Sequence, residues 1–115
     1  MRVNKNELRV CVDVDLTLVR PCRMDEVPNR LIDYYGEPRY RKPMLNNIAL
    51  LKSYKARGYE VTVHSANGWQ WAQNVVEALG LQQYVDEVAT KFLKAVDDLP
   101  PNAWLPQVFV PEDGI

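Results

Sequence analysis

Residues 8–17 read LRVCVDVDLT, and this stretch decides the fold. Its first seven residues, LRVCVDV, are rich in β-branched side chains and nearly continuously apolar. Such a run suits a strand of a parallel sheet covered on both faces. Cys11, inside the run, reads as a small core residue. The strand carries a carboxylate, Asp13, at its C-terminal end, and Asp15 follows two residues later.

Downstream, Pro43 opens a segment with Leu45, Ile48, Leu51 and Tyr54 at helical spacing, and Gly58 follows as a stop. Proline at the start and glycine past the end is the expected helix asymmetry. Residues 59–64 (YEVTVH) predict a strand that runs into Ser65. Asn67 and Gly68 lead into a second helix over about 69–79, closed by Gly80. Short strands are expected at 85–88 and at 95–96, the latter just before Asp97 and Asp98, and a last strand at 107–110 (QVFV). Between the first strand and the first helix lies a polar insertion, about 19–42. Its prolines, Pro21, Pro28 and Pro38, with Gly36, argue against a long helix and leave room for a short helical piece around 29–35.

Strands alternating with helices imply right-handed βαβ crossovers and a parallel sheet. The expectation is a single α/β domain over 1–115, a Rossmann-like parallel sheet with helices on both faces. In such sheets ligands bind at the carboxyl ends of the strands. Three expected strand ends carry Asp13, Ser65 and Asp97.

The 115 residues suffice for one domain, and 47% hydrophobic residues suffice for one core. A net charge of −1 gives no global pull toward nucleic acid or anionic lipid. Two cysteines, Cys11 and Cys22, make no disulfide framework and favour a reducing compartment. The opening residues carry no apolar signal region, and no stretch approaches the roughly 20 apolar residues that span a bilayer. A cytoplasmic protein is expected.

Asp13 and Asp15 suggest a division of labour. One carboxylate can attack phosphorus and form an acyl-phosphate, while the other handles the proton of the leaving group. An anion attacking a phosphate dianion is repelled, so a divalent cation is called for. Mg²⁺, with its preference for oxygen ligands and retained water, suits Asp13 together with Asp97 or Asp98.

The motif DVDLT resembles the first motif of the haloacid dehalogenase-like (HAD) phosphatase superfamily, Asp-x-Asp-x-Thr after a hydrophobic strand. VTVHS supplies Ser65 for the second motif, ATKFLK supplies Lys91 for the third, and AVDD supplies Asp97 and Asp98 for the fourth. All four stand in the family's order, over residues 8–98. The resemblance implies that Asp13 attacks phosphorus and binds Mg²⁺. Asp15 would protonate the leaving group and then activate water, its backbone carbonyl also ligating the metal. Ser65 would donate to a phosphoryl oxygen, and Lys91 would neutralise charge on Asp13 and the phosphate. Asp97 is the preferred metal ligand of the acidic pair, with Asp98 assisting. The Asp13 strand would lie in the middle of the sheet. One departure stands out: the family's lysine is often followed by proline, whereas here Phe92 follows Lys91, and Lys94 competes for the role.

In this superfamily a folded cap often selects the substrate. The insertion here is too short to hold a core of its own, so the site should be open and suited to large substrates or to closure by a second copy of the chain. The insertion carries Arg20, Arg23, Arg30, Arg39, Arg41 and Lys42, with Tyr34, Tyr35 and Tyr40. Arginine and tyrosine near a phosphate site suit a nucleotide or a nucleic-acid end, while an ordinary solvated loop accounts for them equally simply. No membrane partner is expected. His64, the only histidine, should point away from Ser65 by strand alternation. Of Trp69 and Trp71, one should pack and one should be partly exposed. Two other classes compete with the enzyme. A non-catalytic HAD-like module could bind metal or phosphate without turnover. A receiver domain uses similar residues, but its acidic pair comes early and its phosphorylated aspartate late, the reverse of this order.

Overall fold

The protein, seen here as a computed structural model, is described over residues 8–26, 28–33 and 35–100. It is a small α/β structure with two sheets. Strands β1 (Arg9–Asp13), β5 (Glu60–Ser65) and β6 (Glu87–Thr90) form a parallel sheet in the order β1-β5-β6. Between them run helices α1 (Leu45–Ala56) and α2 (Trp69–Ala78). Strands β2 (Val19–Pro21), β3 (Asn29–Ile32) and β4 (Pro38–Pro43) form a separate antiparallel sheet in the order β2-β4-β3.

Alternation along β5 builds the core. Val61, Val63 and Ser65 point inward and are buried, while Thr62 and His64 face the other way. Against the inward face pack Ile48 and Leu51 of α1 and Trp71, Ala72, Val75 and Val76 of α2. Leu45, expected on the apolar side of α1, is instead 68% exposed. Pro43 closes β4 and does not open the helix; Met44 takes the capping position, and its N–H donates to the Leu18 carbonyl at 2.8 Å.

Helices on both faces were expected, yet among the described residues both helices lie on one face. The register explains this. The chain winds from β1 to β5 to β6 in one direction, and two right-handed crossovers made in one direction fall on the same side. The opposite face carries Cys11 and Asp13 beside Thr62 and His64, with Glu87 and Ala89 next. Cys11 is therefore exposed and is not a core residue. Among the described strands β1 is an edge. The strand expected at 107–110, which would place it in the middle, lies outside the described residues, as does Tyr34.

The insertion holds no helical piece at 29–35. Asn29–Ile32 pairs with β4 instead, placing Leu31 in the core at 7% exposure. One isolated helical turn is unstable in water, whereas a paired strand can bury alternate residues. No strand forms at 95–96 either. Val96 is fully exposed, and two residues without a neighbouring edge have nothing to pair with. No helix among the described residues is long and apolar enough to cross a membrane.

Asp86 pins the central strand. Its carboxylate accepts the Val61 N–H at 2.7 Å and the Lys55 ammonium at 2.8 and 3.0 Å. The Lys55 bond, followed by the Val61 N–H, holds this carboxyl below the usual range. A carboxyl depressed on folding stabilises above its unfolded value, and that stability is lost as pH falls through the lower folded value. Asp86→Asn is therefore expected to cost about 1 kcal/mol near neutral pH, since the bonds are charge-assisted but solvent-exposed. In urea denaturation the gap from the parent should close as pH falls below about 4. A gap that stays constant with pH would contradict the role given to the charge.

Candidate active site

The chain turns sharply after β1. The Val14 carbonyl accepts the N–H groups of Thr17, Leu18 and Val19 at 3.2, 2.8 and 3.2 Å. Val14 itself is fully buried. Leu16 sits in the left-handed region at φ 62°, uncommon for a branched side chain, while its N–H reaches the Val19 carbonyl at 2.8 Å. The turn separates the two carboxylates: Asp13 stays on the strand and Asp15 enters the loop.

Asp13 lies beside His64 on the open face of the sheet. Just past β6, the Lys91 N–H donates to the Ser65 carbonyl at 2.9 Å, extending the ladder by one residue. By alternation Lys91 shares the face of Ala89, His64 and Asp13. Its Nζ lies 3.9 Å from Asp13 Oδ1. Lys91 therefore reaches Asp13, and no such contact forms for Lys94, which is exposed on irregular chain. Burial, then the Lys91 ammonium, pushes His64 below its ordinary value against the opposing pull of Asp13. The imidazole sits on the face opposite the Ser65 side chain, as alternation requires.

Ser65 is buried at 1% exposure. Its Oγ accepts the Asn67 N–H at 3.0 Å, and its carbonyl accepts the Gly68 N–H at 3.1 Å. The serine thus shapes the turn into α2 while retaining its own hydroxyl proton to donate. Gly68 precedes α2 at φ 102°, a conformation that favours glycine. The next N–H, of Trp69, donates to Thr90 Oγ1 at 3.0 Å, tying α2 to the end of β6.

Asp15 gathers donors from two directions. Asn67 Nδ2 donates to Oδ2 at 2.9 Å, Trp71 Nε1 donates to Oδ1 at 3.4 Å, and Arg41 Nε lies 3.9 Å from Oδ1. Arg41 reaches in from β4, its guanidinium 5.4 Å from the centre of the Trp71 ring. One of its terminal nitrogens donates to the Tyr40 carbonyl at 3.1 Å, but Nε is buried with no hydrogen-bond partner. A buried donor left unsatisfied costs about 1–3 kcal/mol. Trp71 is packed and Trp69 is 51% exposed, the division expected of the pair. Beside Asn67 an open cleft of about 400 Å³ is lined by Tyr35, Ala66, Asn67, Gly68 and Gln70.

Asp97 and Asp98 are exposed on irregular chain, and Asp97 Oδ1 accepts the Leu99 N–H at 2.9 Å. There the aspartate acts as a turn former. Among the described residues no three His, Cys, Asp or Glu side chains form a group that could hold a metal ion. Lys91 stands 3.9 Å from Asp13 on the open face, while the Ser65 side chain is buried on the opposite face and Asp15 leaves across the turn toward Asn67, Trp71 and Arg41. The acidic pair does not complete a metal centre with them. Sequence reasoning missed the roles of Arg41, Asn67 and Trp71. Alternation in PRYRKP would have put Arg39 and Arg41 on one face, had that segment been read as a strand.

No family model matches the chain, and neither the curated proteins nor the solved structures contain a match to it.

The Trp71 indole offers a direct check on this geometry. Trp71→Phe, which keeps a ring beneath Arg41 and removes one long hydrogen bond, should cost only about 1 kcal/mol from that bond. Its spectrum identifies the Trp71 indole proton resonance by loss. Asp15→Ala should move that resonance upfield; an unchanged position would mean that the indole N–H has another partner.

Proposed function

We propose that this chain is a phosphohydrolase of HAD type acting on phosphomonoesters through Asp13. The observation that carries the reading is the Lys91 ammonium 3.9 Å from a carboxylate at the end of a parallel strand, beside the strand that ends in Ser65. The ordered motifs DVDLT, VTVHS and ATKFLK add support from the sequence.

In this reading an Asp13 oxygen attacks phosphorus, and the bond to the leaving oxygen breaks. Asp15 gives that oxygen its proton. Water then attacks the aspartyl-phosphate, Asp15 takes a proton from it, and inorganic phosphate departs with Asp13 restored. Lys91 offsets the charge on Asp13 and the phosphoryl oxygens, while the buried Ser65 shapes the turn into α2 through Asn67.

Mg²⁺ belongs to the proposal because an anionic nucleophile must approach an anionic substrate. The donors at hand do not make up its ligand set. Among the described residues no three His, Cys, Asp or Glu side chains gather to hold it, and Asp97 is turned to Leu99. No step is therefore routed through the ion. The same two facts favour a second reading, a module that binds phosphate without turning it over.

A nucleotide or nucleic-acid end is the proposed substrate class. Pairing in the antiparallel sheet puts Arg20 beside Lys42 and Arg30 beside Tyr40, on the face opposite Arg41. This basic, aromatic surface suits phosphates and bases of a substrate long enough to extend past the site, since it faces away from Asp15.

Phosphate release from an aryl phosphate, nucleotides, sugar phosphates, phosphopeptides and oligonucleotide ends, with and without Mg²⁺, tests the reading. Mg²⁺-dependent turnover is expected, falling about a thousandfold or more in Asp13→Asn and less in Asp15→Asn. Parent activity retained in Asp13→Asn would remove the mechanism. Phosphate binding without turnover across the panel would establish the non-catalytic reading.

A further inference from the structure

We propose that Arg41 is a phosphate ligand, delivered to the site by the inserted sheet, which engages the phosphoryl oxygens through the nitrogen left without a partner. The inference rests on the phosphohydrolase reading and adds a residue that the motif set does not contain.

Three observations carry it. The guanidinium is held in place, over the Trp71 ring at 5.4 Å and with one terminal nitrogen bonded to the Tyr40 carbonyl. Its Nε is buried and makes no hydrogen bond, so it has a donor to give. Its nearest carboxylate, Asp15, lies 3.9 Å away, too far for a hydrogen bond and the same separation as between Lys91 and Asp13. Each carboxylate is therefore accompanied by a cation that it does not bond. An incoming phosphate can take the Arg41 donor without breaking a hydrogen bond between Arg41 and Asp15. Planar guanidinium suits this better than ammonium does, because its parallel N–H groups match two oxygens of a phosphate.

Packing alone does not require this residue. A lysine at position 41 could lay its chain on Trp71 and keep the positive charge. It would lack the Nε donor in its fixed orientation.

The test is calorimetric titration of inorganic phosphate, in the presence of Mg²⁺, into the parent chain, Arg41→Lys and Lys91→Ala, with thermal melts of each. Arg41→Lys is expected to melt like the parent, to bind phosphate at least tenfold more weakly, and to raise KM for an aryl phosphate more than it lowers kcat. Parent-like phosphate affinity in Arg41→Lys, alongside weakened binding in Lys91→Ala, overturns the role of Arg41 and leaves the phosphohydrolase reading standing. A parent chain that neither binds phosphate at millimolar concentration nor releases it from any ester overturns both. A second measurement needs no variant at the arginine: phosphate should shift the Trp71 indole resonance of the parent as its negative charge arrives at the guanidinium over the ring. Saturation with phosphate at an unchanged Trp71 resonance also overturns the proposal.

Discussion

Everything at the candidate site depends on one buried carbonyl. Val14 has no exposed surface, and its backbone oxygen collects the N–H groups of Thr17, Leu18 and Val19. A buried carbonyl must find donors, and here it finds them within its own turn. Reversing the chain there costs a left-handed Leu16, roughly 1–2 kcal/mol for an L-residue. Burial of Val14, Leu18 and Val19 offsets it, at about 1.5–3 kcal/mol for each large apolar side chain fully removed from water. The joint then organises its neighbours. Leu18 passes its carbonyl to Met44 at the start of α1, and Val19 opens the second sheet. Asp13 and Asp15, two residues apart, leave the joint toward different partners for that reason.

A second constraint is the direction of winding. Because β1, β5 and β6 follow one another across the sheet, α1 and α2 share one face. Asp13, His64 and Lys91 lie on the other, where no described helix covers them. A lysine and an aspartate in such a setting keep access to a ligand. In a sheet covered on both faces they would be enclosed, and a loose pair at 3.9 Å would be costly to bury.

The strand over Arg9–Asp13, both helices and the strand ending at Ser65 were legible because their patterns are long and locally consistent. Ser65 was legible at the end of the strand beside that of Asp13, and Lys91 was named from the order of the resembling motifs alone. The insertion was misread because its prolines, at the ends and edges of strands, mask a pairing pattern set by tertiary contact. Leu31 and Ile32, a lone apolar pair between polar residues, give too weak a signal for a strand until β4 lies beside them. Cys11 was placed in the core by composition alone. Whether an apolar strand is covered once or twice is decided by topology, which no window of sequence contains. The partners of Asp15 were hidden for the same reason, since Arg41 and Trp71 stand 26 and 56 residues from it along the chain, counted from their positions.

The inserted sheet therefore does more than connect β1 to α1. Leu31 roots it in the core, Asn29 and Asn74 bridge it to α2, and Asp33 closes its β3–β4 turn by accepting from Tyr35, Glu37 and Arg39. A free loop cannot hold a guanidinium with an unmade bond, because the side chain would swing to water. This sheet can, because β4 is paired on both sides and Trp71 lies against the charge. The unmade bond is the sign of a rigid frame, and its cost is carried by the packing of the antiparallel strands on α2.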